Sequence, residues 1–179
     1  MEKRLLAHQR IPKDYFVTKG KGESDLTVHA GSYHFALQNA GIMNFNIITY
    51  SSVLPAIATE IQKPDELTFG SVMETIMAVA TAKKDEIATA GIVYGWLYNK
   101  KTKEKEGGLV CEYNGNLSEK TAKENLNKMI RDLYEKCYST EFELKEIKFL
   151  TESFVPKKKF GTALVALCFI NYLYPLMEE

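Results

Sequence analysis

Two consecutive serines, Ser51 and Ser52, close the β-type apolar run Asn44 to Tyr50, and Pro55, which cannot donate to a sheet ladder, follows shortly after. At a sharp strand end, the Ser52 hydroxyl can attack the Ser51 carbonyl within the same backbone and convert the amide to an ester. Fixed intramolecular geometry replaces about 7 to 11 kcal/mol of activation cost in such a step. β-Elimination from the ester releases the upstream chain and leaves dehydroalanine, which hydrolyses to a pyruvoyl group at position 52. Most serine pairs are ordinary turns, so the pair alone carries little. A second chemical residue is Glu112, an acid set among apolar neighbours in Gly108-Leu109-Val110-Cys111-Glu112-Tyr113; an exposed strand-face carboxylate is the alternative reading.

Other chemistries lack their residues. His8, His29 and His34 do not have metal-ligand spacing, and the cysteines Cys111, Cys137 and Cys168 are odd in number and far apart, so no metal is expected. Each cysteine reads as a core thiol in a reducing compartment, which points to the cytoplasm. Ser51-Ser52 lacks the flanking glycines of a hydrolase nucleophile elbow. Gly20-Lys21-Gly22 is not followed by a helix carrying Lys-Ser/Thr, so it reads as a loop and not a phosphate cradle. Lys plus Arg and Asp plus Glu balance at 23 each, which leaves no basic field for nucleic acid. Met1 to His8 holds no apolar stretch of signal-peptide length, and Phe160 to Met177 reads as a buried strand or helix and not as a membrane span. The 179 residues suffice for one domain, 1–179, with its own core.

The elements that must position the serines follow from periodicity. Tyr15 to Gly20 reads as a strand, with a loop from Gly20 to Asp25. Ser32 to Gly41 reads as a short helix with Ser32 as N-cap and Gly41 as its C-terminal stop. Phe69 to Thr81 and Ile87 to Tyr98 are strands separated by a turn at Lys83-Lys84-Asp85, the second covered on both faces: Ile92, Tyr94, Trp96 and Tyr98 on one, Val93, Gly95 and Leu97 on the other. Ser118 or Asn116 caps a helix over Thr121 to Tyr138, whose stripe is Ala122, Leu126, Met129, Ile130, Leu133, Tyr134 and Cys137. A phase slip between Lys145 and Ile147 predicts a bulged strand. Many strands with two helices place the chain in the α+β class.

The stretch Ala36-Leu37-Gln38-Asn39-Ala40-Gly41-Ile42-Met43-Asn44-Phe45-Asn46-Ile47-Ile48-Thr49-Tyr50-Ser51-Ser52-Val53-Leu54-Pro55 resembles the processing region of the pyruvoyl-dependent arginine decarboxylases. Gly107-Gly108-Leu109-Val110-Cys111-Glu112-Tyr113 is similar to the family's glycine-to-Glu-Tyr strand, and the element order agrees over nearly the whole chain. The resemblance implies a four-layer αββα sandwich, self-cleaved between Ser51 and Ser52 into a β chain (1–51) and an α chain (52–179) that stay associated. It implies homotrimers of αβ protomers, paired in some members into hexamers, with active sites between neighbours. Matched by position, Ser52 becomes the covalently bound pyruvoyl group and Glu112 the proton donor. Asn46 lies at the substrate and processing centre, and Leu37, Val53 and the new Ser51 carboxylate line the pocket. His34 stands where members usually carry an aspartate suited to a cationic side chain, with Asp25 or Glu23 as substitutes from the preceding loop. The expected reaction is L-arginine to agmatine plus carbon dioxide. The alternatives are decarboxylation of histidine or aspartate, or an unprocessed non-catalytic oligomer of the same fold.

Overall fold

The computed structural model describes residues 6, 7 and 9 to 177, so the readings of His8 and of the first five residues lie outside the described residues. In chain order the elements are β1 (Leu6–Ala7), β2 (Ile11–Pro12), β3 (Asp14–Ser24), a π-helical turn (Val28–Tyr33) running into α1 (His34–Asn39), β4 (Asn46–Thr49), β5 (Val53–Pro55) and β6 (Thr59–Glu60). The remainder comprises β7 (Val72–Lys83), β8 (Ala88–Asn99), β9 (Lys105–Gly115), α2 (Glu119–Cys137), β10 (Phe142–Phe154), β11 (Phe160–Phe169), β12 (Tyr172–Leu173) and β13 (Leu176–Met177). One sheet has the order β4-β7-β11-β3-β6 and another β10-β8-β9-β5, while β1–β13 and β2–β12 form two small pairs. Mostly strand with two helices, the fold is α+β.

Alternation along the strands divides the apolar residues into separate cores. Ile76, Ala78 and Ala80 of β7, Ala163, Val165 and Leu167 of β11, and Ile92, Tyr94 and Trp96 of β8 share one cluster. The opposite faces of β7 and β11, through Met73, Leu164, Ala166 and Cys168, pack with Ala36, Leu37 and Ala40 of α1. Val93 and Leu97 of β8 pack with Leu126 and Ile130 of α2. Fully burying one such Leu or Ile side chain stabilises by about 1.5 to 3 kcal/mol, so these clusters set which faces meet. The apolar run from Phe160 is therefore a core strand, and no described helix is long and apolar enough to cross a membrane.

Several elements stand as the sequence predicts. The two faces of β8 divide as the alternation requires, and α2 begins at Ser118, whose side chain accepts from the Thr121 amide. The pairing of β10 with β8 slips between Lys145 and Lys148, with Glu146 at φ 53°, which is the bulge. Gly41, at φ 70°, follows α1 as its left-handed stop, with the Ile42 amide donating to the Leu37 carbonyl at 2.9 Å.

Four local readings change. Gly20 and Gly22 lie inside β3, not in a loop: the π-helical turn and α1 cross so close that a Cβ at Gly20 would overlap the Ala36 carbonyl, and one at Gly22 the Ser32 carbonyl. Ser32 is not an N-cap; it is buried in the π-helical turn, its hydroxyl 2.8 Å from that of Thr162. The buried stripe of α2 is narrower than the periodicity suggests, since Met129 is 42% exposed. Cys111 and Cys168 are buried thiols, but Cys137 is exposed at the end of α2 and is no core residue.

Candidate active site

The serine pair sits where the chain passes from one sheet to the other. Upstream, β4 pairs in parallel with β7, matching Asn46 with Val72 and Thr49 with Thr75, and the Tyr50 amide donates to the Thr75 carbonyl at 2.7 Å. Downstream, β5 pairs with β9, matching Val53 with Leu109 and Pro55 with Gly107, and the Val110 amide donates to the Ser52 carbonyl at 3.2 Å. β5 is an edge strand, which is where a proline without an amide proton is tolerated. The peptide between Ser51 and Ser52 is thus the crossing itself, held by a different sheet on each side.

At this crossing the Ser52 hydroxyl donates to Glu112 Oε1. The contact follows from register and alternation. Tyr94 and Ile92 of β8 oppose Val110 and Glu112 of β9, so Glu112 projects on the face that carries Val110 into the core between the strands. Leu54, two residues after Ser52, is buried in the same core. Glu112 and Ser52 are both half-buried. On the other side of the bond, the Val53 amide donates to the Ser51 carbonyl at 2.9 Å. That donor draws electron density from the Ser51 carbonyl, while the Glu112 carboxylate holds Ser52 Oγ through its hydroxyl.

A second group of sequence-predicted residues collects elsewhere. An open cleft of about 460 Å³ beside α1 is lined by His29, Tyr33, His34, Leu37, Phe45 and Asn46, among others. Neither Ser52 nor Glu112 lines it. Asn46 is fixed at its rim by its side-chain amide, which donates to the Gly70 carbonyl at 2.8 Å. His29 stacks on Tyr33 with ring centroids 5.9 Å apart, and burial pushes the Tyr33 phenol above its ordinary range. The described lining contains imidazoles and a phenol but no carboxylate. Glu23 and Asp25 do not supply one: Glu23 accepts from the Lys157 and Lys158 amides, and Asp25 from the Lys159 amide, so both cap the turn between β10 and β11. Val53 is 62% exposed beside the crossing.

Sequence reasoning missed the group that faces Tyr50. Glu74, on β7, is 1% exposed, and it accepts from the Tyr50 hydroxyl at 2.5 Å and from the Arg10 guanidinium. The alternation through Val72, Glu74 and Ile76 places this acid on the core-facing side, and that was the available signal. Among the described residues no group of three or more His, Cys, Asp or Glu side chains is arranged to hold a metal ion.

The profile of the family described as pyruvoyl-dependent arginine decarboxylase matches residues 14–173. A pyruvoyl-dependent arginine decarboxylase of Thermococcus kodakarensis is 26% identical over 162 residues, covering 90% of this chain and 97% of its own length. The pyruvoyl-dependent arginine decarboxylases AaxB of Chlamydia trachomatis and Chlamydia pneumoniae are 33% and 34% identical, each alignment covering 91% of this chain and 93% of theirs. A match spanning both the sheet crossing and the strand of Glu112 makes this chain a member of the pyruvoyl-dependent arginine decarboxylase family.

Proposed function

We propose that the chain is a proenzyme that cuts itself between Ser51 and Ser52 and then decarboxylates L-arginine to agmatine, consuming one proton per turnover. The observation that carries this reading is the Ser52 hydroxyl on Glu112 at a peptide anchored to one sheet upstream and another downstream. In the first step Ser52 Oγ, held by its hydrogen bond to Glu112, bonds to the Ser51 carbonyl carbon, the carbon–nitrogen bond breaks, and the hydroxyl proton passes to the freed nitrogen. In the second, the Ser52 Cα proton is lost and the Cβ–oxygen bond breaks, so Ser51 leaves as a carboxylate and residue 52 becomes dehydroalanine. Its enamine tautomerises, takes up one water and releases ammonia, which leaves the ketone. Cleavage does not free the segment, because β4 keeps its pairing with β7 and β5 its pairing with β9.

The residues present fit that group: the anchored crossing holds position 52, and Glu112 is its hydrogen-bonding neighbour. A pyruvoyl ketone there supplies an electron sink for the carbanion left when carbon dioxide departs. Glu112 delivers the proton to the substrate α-carbon. Leu37 and Val53 exclude water from the aliphatic stem of the substrate, while Asn46 and the new Ser51 carboxylate fix its polar groups. His34 meets the far end of the side chain.

The cleft that holds His34, Leu37 and Asn46 is separate from the Ser52–Glu112 pair, which supports a site completed between protomers. The resemblance to the family implies a homotrimer of αβ protomers, able to pair into a hexamer, and the exposed Ile48 and Val53 offer apolar surface for such contacts. The clusters between the sheets and under each helix support a four-layer αββα sandwich. Three unpaired cysteines suit a reducing cytoplasm. The test is release of carbon dioxide from a panel of amino acids by fully cleaved protein. Turnover of arginine above histidine and aspartate is expected, and preference for either of those would replace arginine as substrate. The histidine-lined cleft without a carboxylate is what keeps that second reading in the panel.

A further inference from the structure

The upstream half of the crossing is held by more than strand pairing. Tyr50, the residue before Ser51, is fixed at three points: its amide on the Thr75 carbonyl at 2.7 Å, its ring against Phe169 at 5.6 Å between centroids, and its hydroxyl on Glu74 at 2.5 Å. Glu74 is a carboxylate at 1% exposure, and a buried charge is retained only when it is paired and hydrogen-bonded. Its partners are the Tyr50 hydroxyl and Arg10, and the Arg10 guanidinium lies 5.2 Å from the centroid of the Tyr172 ring. Tyr172 packs against the same core cluster as Tyr50, and burial first and Tyr50 second push its phenol above the ordinary range. A core position that alternation would give to an apolar residue, beside Ile76 and Phe169, is thus used to tether one phenol.

We propose that the Tyr50–Glu74 hydrogen bond, with Arg10 behind it, is a positioning device for self-cleavage. This rests on the processing reading above and adds residues to it that do not touch the reacting atoms. The attack of Ser52 Oγ on the Ser51 carbonyl needs both atoms held in a near-attack geometry, and a displacement of about 1 Å costs roughly a hundredfold in rate. Ser52 and its carbonyl are fixed by Glu112 and Val110, but Ser51 is an exposed residue. The Ser51 carbonyl therefore takes its position from the Tyr50 side chain on one side and the Val53 amide on the other.

The experiment follows precursor cleavage in a single-turnover time course on freshly synthesised wild-type, Tyr50→Phe, Glu74→Gln and Glu74→Ala chains, alongside thermal melting and carbon dioxide release per cleaved chain. Tyr50→Phe is expected to cleave about tenfold more slowly, the size of one hydrogen bond to a charged group. Its melting midpoint is expected to stay within a few degrees, and turnover per cleaved chain to stay at the wild-type level. Glu74→Gln, which still offers a carbonyl oxygen to the Tyr50 hydroxyl, is expected to cleave faster than Glu74→Ala. A Tyr50→Phe chain cleaving at the wild-type rate overturns the inference while leaving the processing reading intact. Equal cleavage by Glu74→Gln and Glu74→Ala also overturns it. A wild-type chain that never cleaves removes the processing reading itself.

Discussion

Glu112 is asked to do two things, and Glu112→Gln separates them. Before cleavage it accepts the Ser52 hydroxyl, and the amide oxygen of glutamine keeps an acceptor in the same place. A hydrogen bond to a charged group is roughly twice as strong as a neutral one, so the variant forfeits on the order of 1 kcal/mol there, and cleavage slows about fivefold. After cleavage the demand is different, because glutamine has no proton to give. A positioned general acid contributes about 10²- to 10⁴-fold, which at about 1.4 kcal/mol per factor of ten is roughly 3 to 5 kcal/mol of transition-state stabilisation. The assay allows Glu112→Gln to cleave to completion, verified by gel, and then measures kcat for carbon dioxide release. A slowed but complete cleavage with kcat down a hundredfold or more is the expected result. A fully cleaved variant with kcat within about fivefold of wild type would refute the proton-donor role, and a variant that never cleaves would show that the carboxylate is obligatory in processing.

Two further outcomes follow from the packing. Gly22→Ala puts a Cβ onto the backbone of Ser32 and Ala36, which cannot yield as a side-chain tip would, so α1 is displaced together with the cleft that holds Leu37 and His34. A loss of about 1 to 3 kcal/mol is expected, read as a lower melting midpoint, together with a raised KM. The second concerns the thiols. Burial pushes the Cys168 thiol up to about 12, and burial, aided by the nearby Glu112 charge, pushes Cys111 up to about 11, each from an ordinary value of 9.0. A folded pKa above the unfolded one gives stability that is complete below pH 9 and is lost as pH rises towards 11 and 12. Denaturation midpoints are therefore expected to fall over that range, with Cys168→Ala flattening the decline, and at pH 8 a thiol reagent is expected to modify exposed Cys137 alone in the native protein.

Local patterns carried part of this structure. The capped helix α2, the two faces of β8 and the bulge in β10 are written in short-range periodicity, and so they could be read from the sequence. The site was legible to the extent that chemistry is local: Ser52 follows Ser51 in sequence, and Glu112 is conspicuous among apolar neighbours. What could not be read is what depends on partners far along the chain. Gly20 and Gly22 have the look of a loop until α1 is laid across them, and nothing near Ser51 indicates that the chain changes sheets there. Glu74 is 24 residues from Tyr50, and the parallel pairing of β4 with β7 brings them together, while Arg10, 64 residues from Glu74, reaches it from the segment just before β2. Glu23 and Asp25 illustrate the reverse case: acids suited to a cationic substrate were already committed to the Lys157 to Lys159 backbone.

The central claim is that the crossing between the sheets is a bond the protein breaks. Intact-mass measurement of purified wild-type protein and of Ser52→Ala tests it directly. The account predicts two wild-type fragments, 1–51 and 52–179, whose summed mass reflects one water gained and one ammonia lost, with hydrazine labelling only the larger, and a single uncut chain for Ser52→Ala. A wild-type chain that stays whole and resists hydrazine, or a Ser52→Ala chain cut at the same bond, would contradict it.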